Sequence, residues 1–266
     1  MRVGPLPPDI SQQMAYSAAA CPFDSSFETN LCRKAYDILG WHIVSQLALP
    51  PRARVVDAGC GTGRWSARFL KRGHNVTGIE NAPGMIQRLH DRAFGPAFIL
   101  CESDMETARI GDSEADLVIA IGSLQYCDNQ ARVIRRFFDW LRPGGQVAIM
   151  VDSLGALVSE CIQKGKAEDA LRFLRTRQGS YTMDHVVTPL HLYDRSELCG
   201  EFLAAGFEDV ACTGLVVSAA ALGREGCSIA MRENEAAFLA WDAALAEDPF
   251  MADSGLHLML TARRPG

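Results

Sequence analysis

Three carboxylates and a run of alternating glycines are the residues in this chain best suited to chemistry. Asp57 is followed at every second position by Gly59, Gly61 and Gly63, with Cys60 between the first two. Glycine backbone turns sharply and approaches a ligand that any Cβ would push away. A carboxylate just ahead of such a bend suits a cationic or hydroxyl-rich ligand and sits poorly beside a phosphate. Glu80 and Asp104 each follow an apolar run, so two more acids are available at comparable positions. Ser123, Gln125, Tyr126 and Asp128 make a polar stretch after the most apolar run of the chain. Farther on, His185 and His191 lie in a polar-aromatic segment. Imidazole is partly neutral near pH 7, so either histidine, or Tyr126, is a candidate proton acceptor.

The elements that must position these groups follow from local pattern. Val55 and Val56 suit a buried strand ending at Asp57, and Trp65, Phe69 and Leu70 then recur at helical spacing. A strand–glycine turn–helix of this kind opens at the carboxyl end of the strand, where open α/β sheets bind ligands. The dinucleotide fingerprint Gly-x-Gly-x-x-Gly is the obvious rival, but the third glycine comes one residue early and Arg64 stands in its place. Residues 75–79 predict a second strand, with Glu80 at its tip able to accept two hydrogen bonds from ribose hydroxyls. Asn81 follows, and Pro83 opens a helix whose Met85 suits either an adenine face or the core. Residues 97–101 form a third strand, after which Asp104 and the Met105 amide can meet the polar edge of an adenine. A fourth strand spans 115–121 and is apolar throughout, as a strand covered on both faces should be. Its end, Ile121 and Gly122, faces the glycine loop. A helix over 131–140, a Leu141-Arg-Pro-Gly-Gly turn and a fifth strand over 146–151 complete the repeat.

The flanks are less regular. Residues 1–24 hold four prolines yet also Met14, Tyr16 and Phe23, so they are either a terminus or a lid over the sheet mouth. Ser25 and Glu28 suggest a capping box for a helix over 27–47 that carries Arg33 and Lys34. One or two helices are expected over 154–175, then the polar-aromatic stretch over 179–192, a helix over 194–205 and a sixth strand entered at 206–210. Another helix spans 232–246 and a last strand 257–262, while the purpose of 218–255 stays open.

The order Asp57-x-Gly-x-Gly-x-Gly, Glu80, Asp104, the 116–121 strand and the Leu141-Arg-Pro-Gly-Gly turn resembles the class I S-adenosylmethionine-dependent methyltransferases over about residues 53–151. The resemblance implies an α/β fold with a doubly wound, seven-stranded, mostly parallel sheet, the last strand inserted antiparallel beside the fifth. It also implies an N-terminal helical lid and a substrate cap after the fifth strand. The cofactor implied is S-adenosyl-L-methionine, held by Asp57, Gly59, Cys60, Gly61, Gly63, Glu80, Asn81, Met85, Asp104, Met105, Ile121 and Gly122. The implied activity is methyl transfer to a small molecule, with Tyr126, His185 and His191 as catalytic candidates and no metal. Two alternatives stand beside it: a protein of this fold that binds the cofactor without transferring methyl, and a methyltransferase acting on a macromolecule. The Asn-Pro-Pro-Tyr mark of adenine or amide N-methylation is missing at Gly122-Ser-Leu-Gln.

Composition narrows the partners. A formal charge of −6 over 266 residues argues against a nucleic-acid backbone. Nine cysteines without metal-like pairing point to a reducing compartment. No signal-peptide pattern opens the chain and no run reaches the length of a membrane span. A cytoplasmic protein with a small-molecule partner, of unknown oligomeric state, is expected. A single methyltransferase domain over 1–266 is expected too, divided into lid and helix (1–50), cofactor core (53–151), cap (152–193) and C-terminal part (194–266).

Overall fold

The computed structural model describes residues 13, 16, 17, 20, 23–183 and 186–266; Met14 and His185, singled out above, lie outside them. A short helix α1 (Ser26–Thr29) leads into α2 (Leu31–Ser45). The expected continuous helix is broken at Asn30, whose extended backbone and side-chain acceptor cap α2 through the Arg33 amide. Ser25 makes no side-chain cap: an amide oxygen one turn nearer the long helix does that job. The core then alternates as the apolar runs require: β1 (Arg54–Ala58), α3 (Arg64–Lys71), β2 (Asn75–Glu80), α4 (Pro83–Arg92), β3 (Phe98–Glu102), β4 (Ala115–Ile121), α5 (Gln130–Trp140) and β5 (Leu141–Asp152). A single 3₁₀ turn, Leu124–Tyr126, follows β4.

After β5 the chain leaves the sheet. Helices α6 (Leu154–Gln163) and α7 (Ala167–Thr176) lead to a hairpin of β6 (Gln178–Met183) and β7 (Val186–His191), paired antiparallel apart from the main sheet. The polar-aromatic stretch is therefore a two-stranded ribbon. The chain returns through α8 (Arg195–Ala204), β8 (Glu208–Leu215), α9 (Ala219–Ala246), α10 (Pro249–Ala252) and β9 (His257–Arg263). The helix expected at 232–246 is the second half of α9, which is interrupted at Gly223 and Asn234, where the backbone leaves helical geometry.

The seven strands lie in the order β3-β2-β1-β4-β5-β9-β8. The first five are parallel, and β9 runs antiparallel between β5 and β8. Alternation assigns successive residues to opposite faces. Val56, Val118 and Val147 pack with Ile134, Phe137 and Phe202 on one face. Val55, Leu117 and Ala148 pack with Leu39, Trp65 and Phe69 on the other. Because β9 is reversed, its first residue lies at the same edge of the sheet as the last residues of β1, β2, β4 and β5; Asp152 pairs with His257 in register.

Candidate functional site

A cleft follows that edge as two adjoining chambers of about 970 and about 880 Å³ of open space. They meet over Gly59, Gly61, Ile121 and Gly122, and Tyr16, Phe23 and Tyr126 border both. This is the mouth that the strand–turn–helix reading required.

The three glycines divide by role. A Cβ on Gly59 would stand 2.5 Å from the Ser123 Cβ, and one on Gly63 would stand 2.6 Å from the Phe94 ring. Those two glycines let the loop pack against its neighbours. A Cβ on Gly61 would project into open space, 4.0 Å from the nearest atom, on Phe23. All three have positive φ, so only Gly61 combines the glycine conformation with a ligand-facing surface.

The loop amides are already engaged. Gly59 and Cys60 donate to the Ile79 carbonyl, Gly63 to the Cys60 carbonyl, and Gly61 to Glu80 Oε2 at 2.8 Å. A phosphate cradle needs amides aimed at the ligand; these point into the protein, with acids on either side. The dinucleotide alternative fails on that geometry.

Glu80 is buried and accepts from Gly61, from Asn81 at 2.9 Å and from Ala82 at 2.8 Å. Burial pushes its carboxyl up, and the three amides oppose that. A carboxylate has about four lone-pair sites, so one remains, and a second opens if Gly61 lets go. Asn81 Nδ2 donates to Asp104 Oδ2 at 2.9 Å, which ties the tips of β2 and the loop after β3. Asp104 is exposed at the rim of the first chamber, and Met85, Met105 and Ile79 supply its apolar walls. An aromatic ring bearing polar edges and a diol fits this combination.

Asp57 borders the second chamber and accepts from Ser66 Oγ at 2.6 Å. Burial pushes its carboxyl up to about 7; the Ser66 hydroxyl works against that, and the nearby Glu80 charge adds to it. Cys60 also borders this chamber, its thiol driven up by burial and by the two acids. Arg64, which displaced the glycine of the rival motif, pairs with Asp37 together with Arg68. Its guanidinium lies 3.6 Å over the Phe27 ring, and its Nε is buried without a partner.

The catalytic candidates separate. Tyr126 borders both chambers, edge-on to Tyr16 at 5.6 Å. His191 turns away to Glu197, 2.8 Å from its carboxylate, and packs on Tyr193; it is not brought to the cleft. The hairpin reaches the cleft instead through Thr188 and Pro189. Asp37, Tyr36, Asp152 and His257 border the second chamber and were not foreseen. The signal for His257 was its place as first residue of a strand that runs against the others. Asp37 was hidden because it sits on the apolar side of α2. Among the described residues no group of three His, Cys, Asp or Glu side chains is placed to hold a metal ion, and no helix is long and apolar enough to cross a membrane.

Comparison with known proteins agrees with this geometry. Residues 55–145 match the family model described as a methyltransferase domain. Malonyl-[acyl-carrier protein] O-methyltransferase of Pectobacterium atrosepticum is 28% identical over 158 residues, 58% of this chain and 61% of that protein. Trans-aconitate 2-methyltransferase of Delftia acidovorans is 32% identical over 111 residues, 41% of each. The match thus spans about two-fifths to three-fifths of these relatives. Among solved structures, Burkholderia thailandensis 1,6-didemethyltoxoflavin-N1-methyltransferase, with 1,6-didemethyltoxoflavin and S-adenosylhomocysteine bound, shares the fold at a TM-score of 0.56 and 18% identity, over 100% of this chain and 94% of that one. The glycine bend, the acids at successive strand tips and the 3-2-1-4-5-9-8 sheet thus coincide with a match to a methyltransferase domain over residues 55–145.

Proposed function

We propose that this chain transfers a methyl group from S-adenosylmethionine to a small-molecule acceptor. One observation carries the reading: a ligand-facing glycine stands where two chambers meet, one walled by acids and methionines, the other by aromatic and polar side chains. The first suits an adenosine and the second an acceptor, so their junction is where the two would react. In this reading Glu80 and Asn81 hold the ribose, Asp104 and Met105 meet the adenine edge, and Met85 covers a face. Asp57 lies toward the positive charge, and the unpartnered Nε of Arg64 is available to a carboxylate. When bound, the cofactor supplies an electrophilic methyl carbon.

The protein's own part is to orient the acceptor and keep water out. Holding reactants at about 3–3.5 Å in line supplies much of the rate gain in such displacements. Tyr16 and Phe23 close one side of the junction and Thr188 and Pro189 close part of the other, which supports the roles of lid for residues 1–50 and cap for 152–193. We place the protein in the cytoplasm, acting as one unit on a small molecule.

Calorimetry with S-adenosylhomocysteine tests the cofactor half: micromolar binding is expected in the wild type. Loss of the charged hydrogen bonds in Glu80→Ala should weaken it by about 1–3 kcal/mol. Turnover of methyl-labelled cofactor with amine, alcohol and carboxylate panels tests the other half. Binding without transfer to any panel would leave a cofactor-binding protein that does not methylate small molecules.

A further inference from the structure

The wall of the second chamber carries two buried hydrogen-bonding atoms that nothing satisfies. Gln125 is 2% exposed, and its Oε1 has no partner. His257 Nδ1 is likewise buried and unpartnered, although 13% of that side chain is exposed. Both residues border the chamber. A buried polar atom without a partner costs about 1–3 kcal/mol, so two on residues that flank one carboxylate and line one cleft point to a ligand that completes them.

Asp152 fixes what these atoms offer. Gln125 Nε2 donates to Asp152 Oδ2 at 2.8 Å, and His257 Nε2 lies 3.4 Å from Asp152 Oδ1. An ionised carboxylate only accepts. The amide must therefore present its NH₂ to Asp152 and its oxygen away from it. By the same argument the imidazole turns its N–H toward Asp152 and leaves Nδ1 as a lone pair. Burial holds His257 down to about 4 against the pull of Asp152, with Arg224 and Arg33 adding to the depression, so the ring is neutral at pH 7. Tyr36, which packs on it at 4.0 Å between ring centroids, keeps its phenol proton, its hydroxyl raised by burial to about 12. The charged and titratable groups around the imidazole are thus Asp152 on β5, Arg33 and Tyr36 on α2, and Arg224 on α9. One carboxylate thus orients both acceptors.

Resting on the methyl-transfer reading, we propose that Gln125, Asp152 and His257 form the acceptor subsite and select a primary amine attached to a planar group. A neutral primary amine donates one N–H to Gln125 Oε1 and the other to Nδ1 of His257, which leaves its lone pair free. A hydroxyl has only one hydrogen for the two acceptors. A carboxylate has none and would face two lone pairs and the Asp152 charge. Tyr36 and Tyr126 supply flat walls. In the transfer the nitrogen lone pair forms the N–C bond while the pair of the breaking C–S bond stays on sulfur. The product ammonium then releases its surplus N–H proton to solvent, because an imidazole held down to about 4 orients the N–H but is too weak a base to keep the proton.

The test uses full-length protein saturated with S-adenosylhomocysteine at about pH 10, where a benzylic amine is largely neutral, and three probes: benzylamine, benzyl alcohol and benzoate. Calorimetry should show benzylamine binding at least tenfold tighter than either of the others. Gln125→Leu and His257→Phe should each lower benzylamine affinity at least fivefold while S-adenosylhomocysteine affinity stays within twofold, which also reports that the variant is folded. If either unfolds, the near-isosteric Asp152→Asn decides: its NH₂ lets Gln125 turn its own NH₂ into the chamber, and benzylamine should again lose at least fivefold. Benzylamine binding no tighter than the other probes, or not at all, overturns the proposal, as does unchanged affinity in the folded variants. Failure of S-adenosylhomocysteine to bind the wild type overturns the methyl-transfer reading separately, and the ratio of amine to carboxylate, read on the protein alone, then decides the subsite.

Discussion

At the scale of single residues, Gly59 and Gly61 are two positions apart in one loop and answer to different forces. Gly61→Val is expected to abolish S-adenosylhomocysteine binding, because its side chain would fill the space at the junction of the chambers. Its left-handed backbone adds about 1–2 kcal/mol of strain. Gly59→Ala carries similar strain and also drives a methyl into Ser123, so thermal unfolding should show it to be the less stable of the two alanine variants at these positions. Retained micromolar affinity in Gly61→Val would remove the glycine from the cofactor site. Asp57 gives a prediction with a sign. Its carboxyl is raised to about 7 in the folded protein, so the stability it contributes is full below its ordinary value near 4 and is lost as pH rises through 7. A cationic ligand reverses the preference, since it favours the ionised acid. S-adenosylmethionine should therefore gain affinity relative to uncharged-sulfur S-adenosylhomocysteine between pH 6 and pH 8, and Asp57→Asn should flatten that ratio. Amino and carboxyl groups are common to both ligands and cancel in the comparison, so a flat ratio in the wild type would place the sulfonium away from Asp57.

At the scale of elements, α2 and α3 are joined through one buried acid. Asp37 pairs with both Arg64 and Arg68 and is only 4% exposed. Asp37→Ala leaves two partly buried cations uncompensated, which costs about 3–5 kcal/mol when a buried pair is broken; the loss should appear as a lowered midpoint in urea with an unchanged slope. The same contact shows what the sequence could and could not disclose. Periodicity located α2, since Ala35 and Leu39 do face the core, but an acid on an apolar face has no local signature: its partners lie 27 and 31 residues on. Strands β1 to β5 were legible because each is an apolar run closed by a turn or an acid. The β6–β7 ribbon was not, because it lacks the Asn-Gly or Asp-Gly turn that announces a hairpin and pairs only with itself. For the site, Asp57, Glu80 and Asp104 could be placed because strand tips in a parallel sheet share one edge. His257 escaped because only a reversed strand brings its first residue there.

At the scale of the molecule, scaffold and cover are separable. Among the described residues, the two large apolar clusters lie on the faces of the sheet and draw on residues from 31 onward. Ala20, with Tyr16 and Phe23 beside it, packs instead on a small separate cluster with Ala82 and Met85. Ser17 accepts from the Gly84 amide at 3.1 Å, and Asp24 accepts from Thr62 at 2.7 Å and pairs with Arg92. These contacts fasten the described part of the segment to the glycine loop and to α4, both of which border the cleft. Removal of residues 1–24 should therefore preserve a single cooperative unfolding transition, shifted down by only a few degrees, because little of the main core is exposed. It should nonetheless weaken S-adenosylhomocysteine at least tenfold, since Tyr16 and Phe23 leave the junction and Met85 opens to water. The intact protein should show the converse coupling: saturating ligand at 100 times its dissociation constant adds about 2.7 kcal/mol of stability. Trypsin cleavage at Arg92, whose guanidinium is held by Asp24, should slow in parallel. A truncated chain that binds as tightly as the full one would mean that the segment covers the cleft without taking part in the grip, and the site would then be complete within the sheet and its loops.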